Sequence, residues 1–222
     1  MKKPLHVIAA IFTLSALAIG CGSDQATLQG ITRESPLTVG SASLPEEFGN
    51  GTQPSDFTFS AQEGELLVVF FGYTMCPDIC PTSLSDFRSA LRRLGDRADK
   101  VDLAFVTVDP ERDTADKLIP FLSTYATRFH AVRTTDFSLL KSVQDKFLVR
   151  SSVTTDENGY VQVTHTGTAF VVDSNGVVVV ELPFGIGADG LMLMNRKTGY
   201  DFEMQYFNAD GNASTLCGNG AR

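Results

Sequence analysis

The sequence predicts an α/β domain built on a central mixed β-sheet, and three observations carry the prediction. Leu66 to Phe71 (LLVVFF) is a continuous apolar run, the mark of a strand covered on both faces. Val101 to Val108 (VDLAFVTV) is a second such strand. Thr168 to Val172 and Val177 to Leu182 flank the turn residues Asp173-Ser174-Asn175-Gly176, which marks a hairpin. With helical spacing between these runs, the order is strand, helix, strand, helix, helix, hairpin, and that order defines the class.

The elements follow in chain order. Lys2 and Lys3 precede the apolar run Val7 to Gly20, which falls short of the ~20 residues a membrane-spanning helix needs. Residues 1–20 therefore read as a bacterial secretory signal. Cys21 follows the small residue Gly20, as at a lipoprotein processing site where the cysteine becomes the lipidated N-terminus; an ordinary signal peptide beside a chance cysteine is the alternative. Residues 21–55, rich in Gly, Ser, Thr, Gln and Pro, read as the anchor and a flexible tether. The folded domain is expected over 56–183.

Within it, Pro81 suits the first turn of a helix, and Leu84, Phe87, Leu91 and Leu94 follow at helical spacing. After the second strand, Asp113 or Thr114 can cap a helix over Ala115 to Phe129, with Leu118, Leu122 and Tyr125 inward and Pro120 a source of a kink. Phe137, Leu140, Val143 and Phe147 mark another helix before the hairpin. A thioredoxin-like fold fits this order. Its usual last helix is not found after Pro183; residues 184–222 change in texture and read as a separate short α+β-type fragment.

Bulk properties narrow the function. The chain has 222 residues, 43% of them hydrophobic, enough for one good core. A formal charge of −8 lacks the basic footprint that nucleic acid requires. Of the four cysteines, lipidation of Cys21 leaves Cys76, Cys80 and Cys217, an odd number outside the cytoplasm.

The loop Gly72-Tyr73-Thr74-Met75-Cys76-Pro77-Asp78-Ile79-Cys80-Pro81 joins the first strand to the first helix. A helix N-terminus favours negative charge and so promotes thiolate over thiol. Two thiolates are soft ligands suited to Cu(I), and the imidazole of His165 is compatible with the same ion. Cys76, Cys80 and His165 thus offer a three-coordinate site open to exchange. Two other readings stand: a structural disulfide, and a thiol–disulfide redox pair acting on the cysteines of an exported partner such as an oxidase subunit. Against the redox pair, the spacing is Cys-x-x-x-Cys, and no proline lies between Ser151 and Leu182. His130 is read as an ordinary surface histidine.

The loop motif, the run Val108-Asp109-Pro110-Glu111-Arg112-Asp113-Thr114, and His165-Thr166 ahead of Phe170-Val171-Val172-Asp173 together resemble the Sco/SenC family, over roughly residues 36 to 183. The resemblance implies a membrane-anchored copper chaperone for cytochrome c oxidase assembly, in the bacterial cell envelope and facing the periplasm or exterior. It implies copper ligation by Cys76, Cys80 and His165, and an oxidase subunit or other copper protein as partner. It carries the family's acidic motif to Asp109 and Asp113, read as supporting the site or facing the partner, with helix capping as the alternative.

The run Phe207-Asn208-Ala209-Asp210-Gly211-Asn212-Ala213-Ser214-Thr215-Leu216-Cys217-Gly218-Asn219-Gly220 resembles an internal piece of diaminopimelate epimerase. That resemblance implies a catalytic role for Cys217 and substrate-binding roles for Asn208, Gly218 and Asn219, whose glycine-rich turn would present N–H groups to a carboxylate. Two-base inversion needs a second cysteine from another half-domain, so epimerase activity is not expected.

Overall fold

A computed structural model describes residues 30–183, 191–197, 200–207 and 213–214. The central layer is a seven-stranded mixed sheet of β1 (Ser43–Glu47), β2 (Ser55–Thr58), β3 (Leu66–Gly72), β4 (Val101–Thr107), β5 (Phe129–Val132), and two later strands, β8 (Thr168–Val172) and β9 (Val178–Pro183). Their spatial order is β2-β1-β5-β4-β3-β8-β9. β3 is parallel to β4 and β4 to β5, while β8 pairs antiparallel to β3 and to β9. Every residue of β3 except Leu66 is buried, because strands flank it and helices cover both faces.

Helix α1 (Ile79–Leu94) connects β3 to β4 and buries Cys80, Ser83, Leu84 and Phe87, one stripe at three- and four-residue spacing. A 3₁₀ segment, Gly95–Lys100, completes the crossover. Helix α2 (Ala115–Ser123) joins β4 to β5, and α3 (Phe137–Lys146) follows β5. Asp136 caps α3 by accepting from the N–H groups of Ser138 and Leu139 at 2.9 and 3.0 Å, a contact worth about 1 kcal/mol. Aromatic rings lock the α3 side of the sheet. Phe147 meets Phe59 and Phe71 at 5.3 Å and Phe170 at 5.1 Å, all edge-to-face.

Four features differ from the sequence expectation. The helix expected to Phe129 ends at Ser123, where Tyr125 and Ala126 donate to the Leu122 carbonyl and close it. Phe129 instead opens β5, a strand of four residues interrupted by His130 and too short to show a period of two. The tether expected to reach residue 55 is largely folded. Val39, Ala42 and Leu44 lie in the core, β1 and β2 extend the sheet, and Ile31 and Thr38 bridge to Glu181 and Val177 beside β9. Proline, serine and acidic residues disguise these strands because they sit at the sheet margin, where one apolar residue in five suffices.

The fourth difference is a hairpin, β6 (Ser151–Thr155) and β7 (Val161–His165), standing apart from the main sheet. Its Ser, Thr, Gln and Val residues are mostly exposed or half-buried, so no apolar alternation announces it. After β9 no helix appears among the described residues. Strands β10 (Leu191–Lys197), β11 (Tyr200–Phe207) and β12 (Ala213–Ser214) form a separate antiparallel sheet. Among the described residues no helix is long and apolar enough to cross a membrane.

Candidate metal centre

Strand register brings the site together. Gly72, the last residue of β3, lies opposite Thr107, the last of β4, and Val108 donates to the Gly72 carbonyl at 2.9 Å. The loops leaving these strands therefore run side by side, at the carboxyl edge where open α/β sheets bind ligands. β8 runs back from Thr168 against β3, so the residues just before it, including His165, also reach this edge. Thr166 exchanges hydrogen bonds with Arg150 and extends the hairpin, holding His165 in place.

Asp113 anchors the cysteine loop. Fully buried, it accepts from the Thr74 N–H at 3.0 Å, from the Thr74 hydroxyl, and from the Thr107 hydroxyl at 2.7 Å. Asp109, 2% exposed, pairs with Arg112 at 2.5 Å, and its carbonyl accepts from the Asp113 N–H at 3.0 Å. Neither carboxylate faces outward toward a partner. The capping reading also fails, since Thr114 occupies the α2 N-cap position with no side-chain cap bond. What remains of the expectation is support of the loop.

The Cys76 N–H donates to the Tyr73 carbonyl at 3.3 Å, folding the loop into a turn. The Cys76 sulfur accepts from the backbone N–H of Cys80 at 3.4 Å, in the first turn of α1. It thus does the work of an N-cap, as the Asp78 side chain makes no cap bond. Cys80 is buried, with Sγ 3.4 Å from Nε2 of His165. A Cβ at position 72 would meet Cys80 Sγ at 2.9 Å and the Phe105 ring at 3.0 Å, so only glycine leaves the sulfur its place. His165 donates Nδ1–H to the Thr166 carbonyl at 3.1 Å, which leaves the Nε2 lone pair facing the sulfurs. The ring is walled edge-on by Tyr73 and Phe70.

The two thiols are driven apart in acidity. Hydrogen bonds from the Cys80 thiol and from the backbone N–H groups of Asp78 and Cys80 hold Cys76 far below the ordinary thiol range. Donating to Cys76, together with burial, pushes Cys80 up. Burial and the neighbouring Cys76 charge raise Tyr73 to about 12. The centre therefore sets a more acidic outer cysteine beside a less acidic buried one. The donor atoms of Cys76, Cys80 and His165 all lie within 4.8 Å of one another, and they are the one such cluster among the described residues. Soft sulfur donors with one nitrogen suit a soft cation such as Cu(I), which Cys76, Cys80 and His165 would hold.

Of the residues singled out in the sequence, the structure unites Cys76, Cys80 and His165 and places Asp109 and Asp113 beneath them. Cys21, Asn208, Cys217, Gly218 and Asn219 lie outside the described residues. Thr74, Thr107 and Tyr73 carry no metal-ligating group of their own to mark them in the sequence. Thr74 and Tyr73 belong to the loop motif itself, and Thr107 stands two residues before Asp109, so proximity in the motifs was the available signal.

Fold and site define a thioredoxin-like protein carrying a compact Cys–Cys–His cluster. Residues 41–191 match the model of the SCO1/SenC family, and the chain belongs to that family. It is 32% identical over 189 residues to a SCO2-like protein of Rickettsia felis, covering 79% of this chain and 89% of the relative. Among solved structures it resembles Bradyrhizobium japonicum ScoI with copper bound, at 30% identity and a TM-score of 0.55, covering 64% of this chain and 87% of that one. A different match is 62% identical over 39 residues to the diaminopimelate epimerase of Flavobacterium psychrophilum, 18% of this chain and 15% of the epimerase.

Proposed function

We propose that this protein is a copper-binding metallochaperone, anchored to the cell envelope through Cys21, that delivers Cu(I) for assembly of the cytochrome c oxidase copper centre. The carrying observation is the convergence of Cys76, Cys80 and His165 within 4.8 Å at the edge of the sheet. Copper in the related ScoI supports the reading, as does the soft donor set. The site's shape supports delivery: the inner cysteine is buried, while Cys76 and His165 are half-buried.

Anaerobic titration of the reduced full chain with Cu(I) tests the assignment. One equivalent is expected to bind. Cys76→Ser or Cys80→Ser should abolish binding, and His165→Ala should weaken it about a hundredfold, some 2.8 kcal/mol at 1.4 per decade. A Cys217→Ser variant is expected to keep the stoichiometry. Unchanged binding in either of the first two variants overturns the assignment.

One observation favours a second reading, a thiol–disulfide oxidoreductase: a low-pKa thiolate at Cys76 hydrogen-bonded to the Cys80 thiol, the arrangement of an attacking and a resolving cysteine. Disulfide exchange with a peptide substrate by a protein that takes up no copper would favour it.

A further inference from the structure

We propose that Met75 supplies a transient thioether ligand through which the metal ion enters and leaves the Cys76–Cys80–His165 cluster. The inference rests on the copper-binding reading and specifies how that site exchanges its cargo.

The cluster is graded from inside to outside. Cys80 is fully buried, Cys76 and His165 are half-buried, and Met75, adjoining Cys76, is 59% exposed. Met75 is joined directly to Cys76, one of the two ligands that are not fully buried. Its loop neighbours Cys76 and Ile79 pack against the core, whereas Met75 is left to solvent. A single exposed apolar side chain is ordinary by itself; the weight lies on where this one is held.

That position is well fixed. Met75 is the third residue of the turn closed by the Cys76 N–H and the Tyr73 carbonyl at 3.3 Å. The preceding residue, Thr74, is tied to the buried Asp113 by both its N–H and its hydroxyl. The backbone is pinned while the unbranched side chain keeps three rotatable bonds, so its sulfur is free to sample the space around the turn that carries Cys76. The chemistry suits a way-station. A thioether is soft enough for Cu(I) yet neutral, so it holds the ion less firmly than the thiolates within. It carries no proton, so its bond to the ion forms and breaks without an acid–base step. On entry a Met75–ion bond replaces one to the donor's ligand and then yields to Cys76; on exit the order reverses, and no electron changes hands.

Two measurements on the full chain test this. In the first, the protein is labelled with methyl-¹³C methionine and given less than one equivalent of Cu(I) in the presence of a competing chelator. The Met75 methyl signal, identified by its loss in Met75→Leu, is expected to shift or broaden while the others of the five methionines hold. In the second, stopped-flow transfer to and from excess bicinchoninate should be about tenfold slower in both directions in Met75→Leu, a barrier change of 1.36 kcal/mol. Its Kd should stay within about twofold of the unaltered protein's. An unmoved methyl signal with equal rates overturns the inference while leaving the copper site intact. A weaker Kd at an unchanged on-rate also overturns it, since Met75 would then be a resident ligand. Failure of the unaltered protein to bind Cu(I) overturns both readings together.

Discussion

The cysteine loop and the β6/β7 hairpin contribute to the same cluster but are held in opposite ways. The loop rests on buried chemistry: Asp113 beneath Thr74, Gly72 packed against Cys80 and Phe105, and Cys76 on the first turn of α1. The hairpin that carries His165 stands outside the main sheet, mostly exposed, with hydrogen bonds such as Ser152 to Thr164 open to solvent. Stability within a fold is distributed by buried apolar contacts and protected hydrogen bonds. The comparison therefore assigns the cysteines to the rigid half of the site and the histidine to the yielding half. A site built this way sets its cysteines on a firm base and its histidine on a more yielding one.

The largest effect is expected where the rigid half is cut. Asp113→Ala leaves the Thr74 N–H and two hydroxyls without their acceptor in a buried place. At 1–3 kcal/mol for an unsatisfied buried group, the change should cost about 3 kcal/mol in a denaturant melt and loosen the cysteine turn enough to weaken Cu(I) binding. A variant with wild-type stability would show that Asp113 is not the anchor.

A smaller effect separates the two thiols by pH. The thiolate is the nucleophile, so a thiol with lowered pKa stays reactive below the ~8.5 of a free cysteine, while one with raised pKa does not. Mass-mapped alkylation of the full chain at pH 6 should modify Cys76 well ahead of Cys80. Equal labelling would contradict the asymmetry.

The smallest effect belongs to the hairpin. Thr164→Val removes the exposed 2.8 Å bond to Ser152 and should change global stability by less than about 0.5 kcal/mol. Amide exchange should nonetheless be faster throughout β6 and β7 than in β3 and β4, in the parent and in the variant alike. Slow exchange across the hairpin would erase the contrast between the two halves.

What the sequence made legible follows the same division. β3, β4, α1 and the β8/β9 hairpin are buried on long apolar faces, and their periodicity is visible in Leu67–Phe71, Val101–Val108 and the stripe Leu84, Phe87 and Leu91, while Leu94 at the end of α1 is exposed. β5 hides behind His130, and β1 and β2 behind Pro45 and acidic residues, because short or marginal strands need few apolar contacts. The β6/β7 hairpin has almost no buried face to leave a pattern. In the site, Cys76, Cys80 and His165 stand out because few residue types ligate soft metals. Thr74 and Thr107 do not, since a threonine's value as a donor to Asp113 depends on a juxtaposition between β3 and β4 that local spacing cannot express.

The pairing of Ile31 with Glu181 sets a length as well as a fold. Glu181 is two residues from Pro183, which lies opposite Thr168 at the end of the sheet where the cluster sits. The chain therefore joins the domain through the β9 edge of the sheet, and the span between Cys21 and Gly30 reaches at most about 30 Å at ~3.4 Å per residue. A tether running to residue 55 would reach more than 100 Å at the same rise. With Cys21 held in a bilayer, as proposed, the domain would work on a short leash, sampling a shallow layer of solvent. A recipient would have to offer its own copper site within that layer, close to the membrane surface.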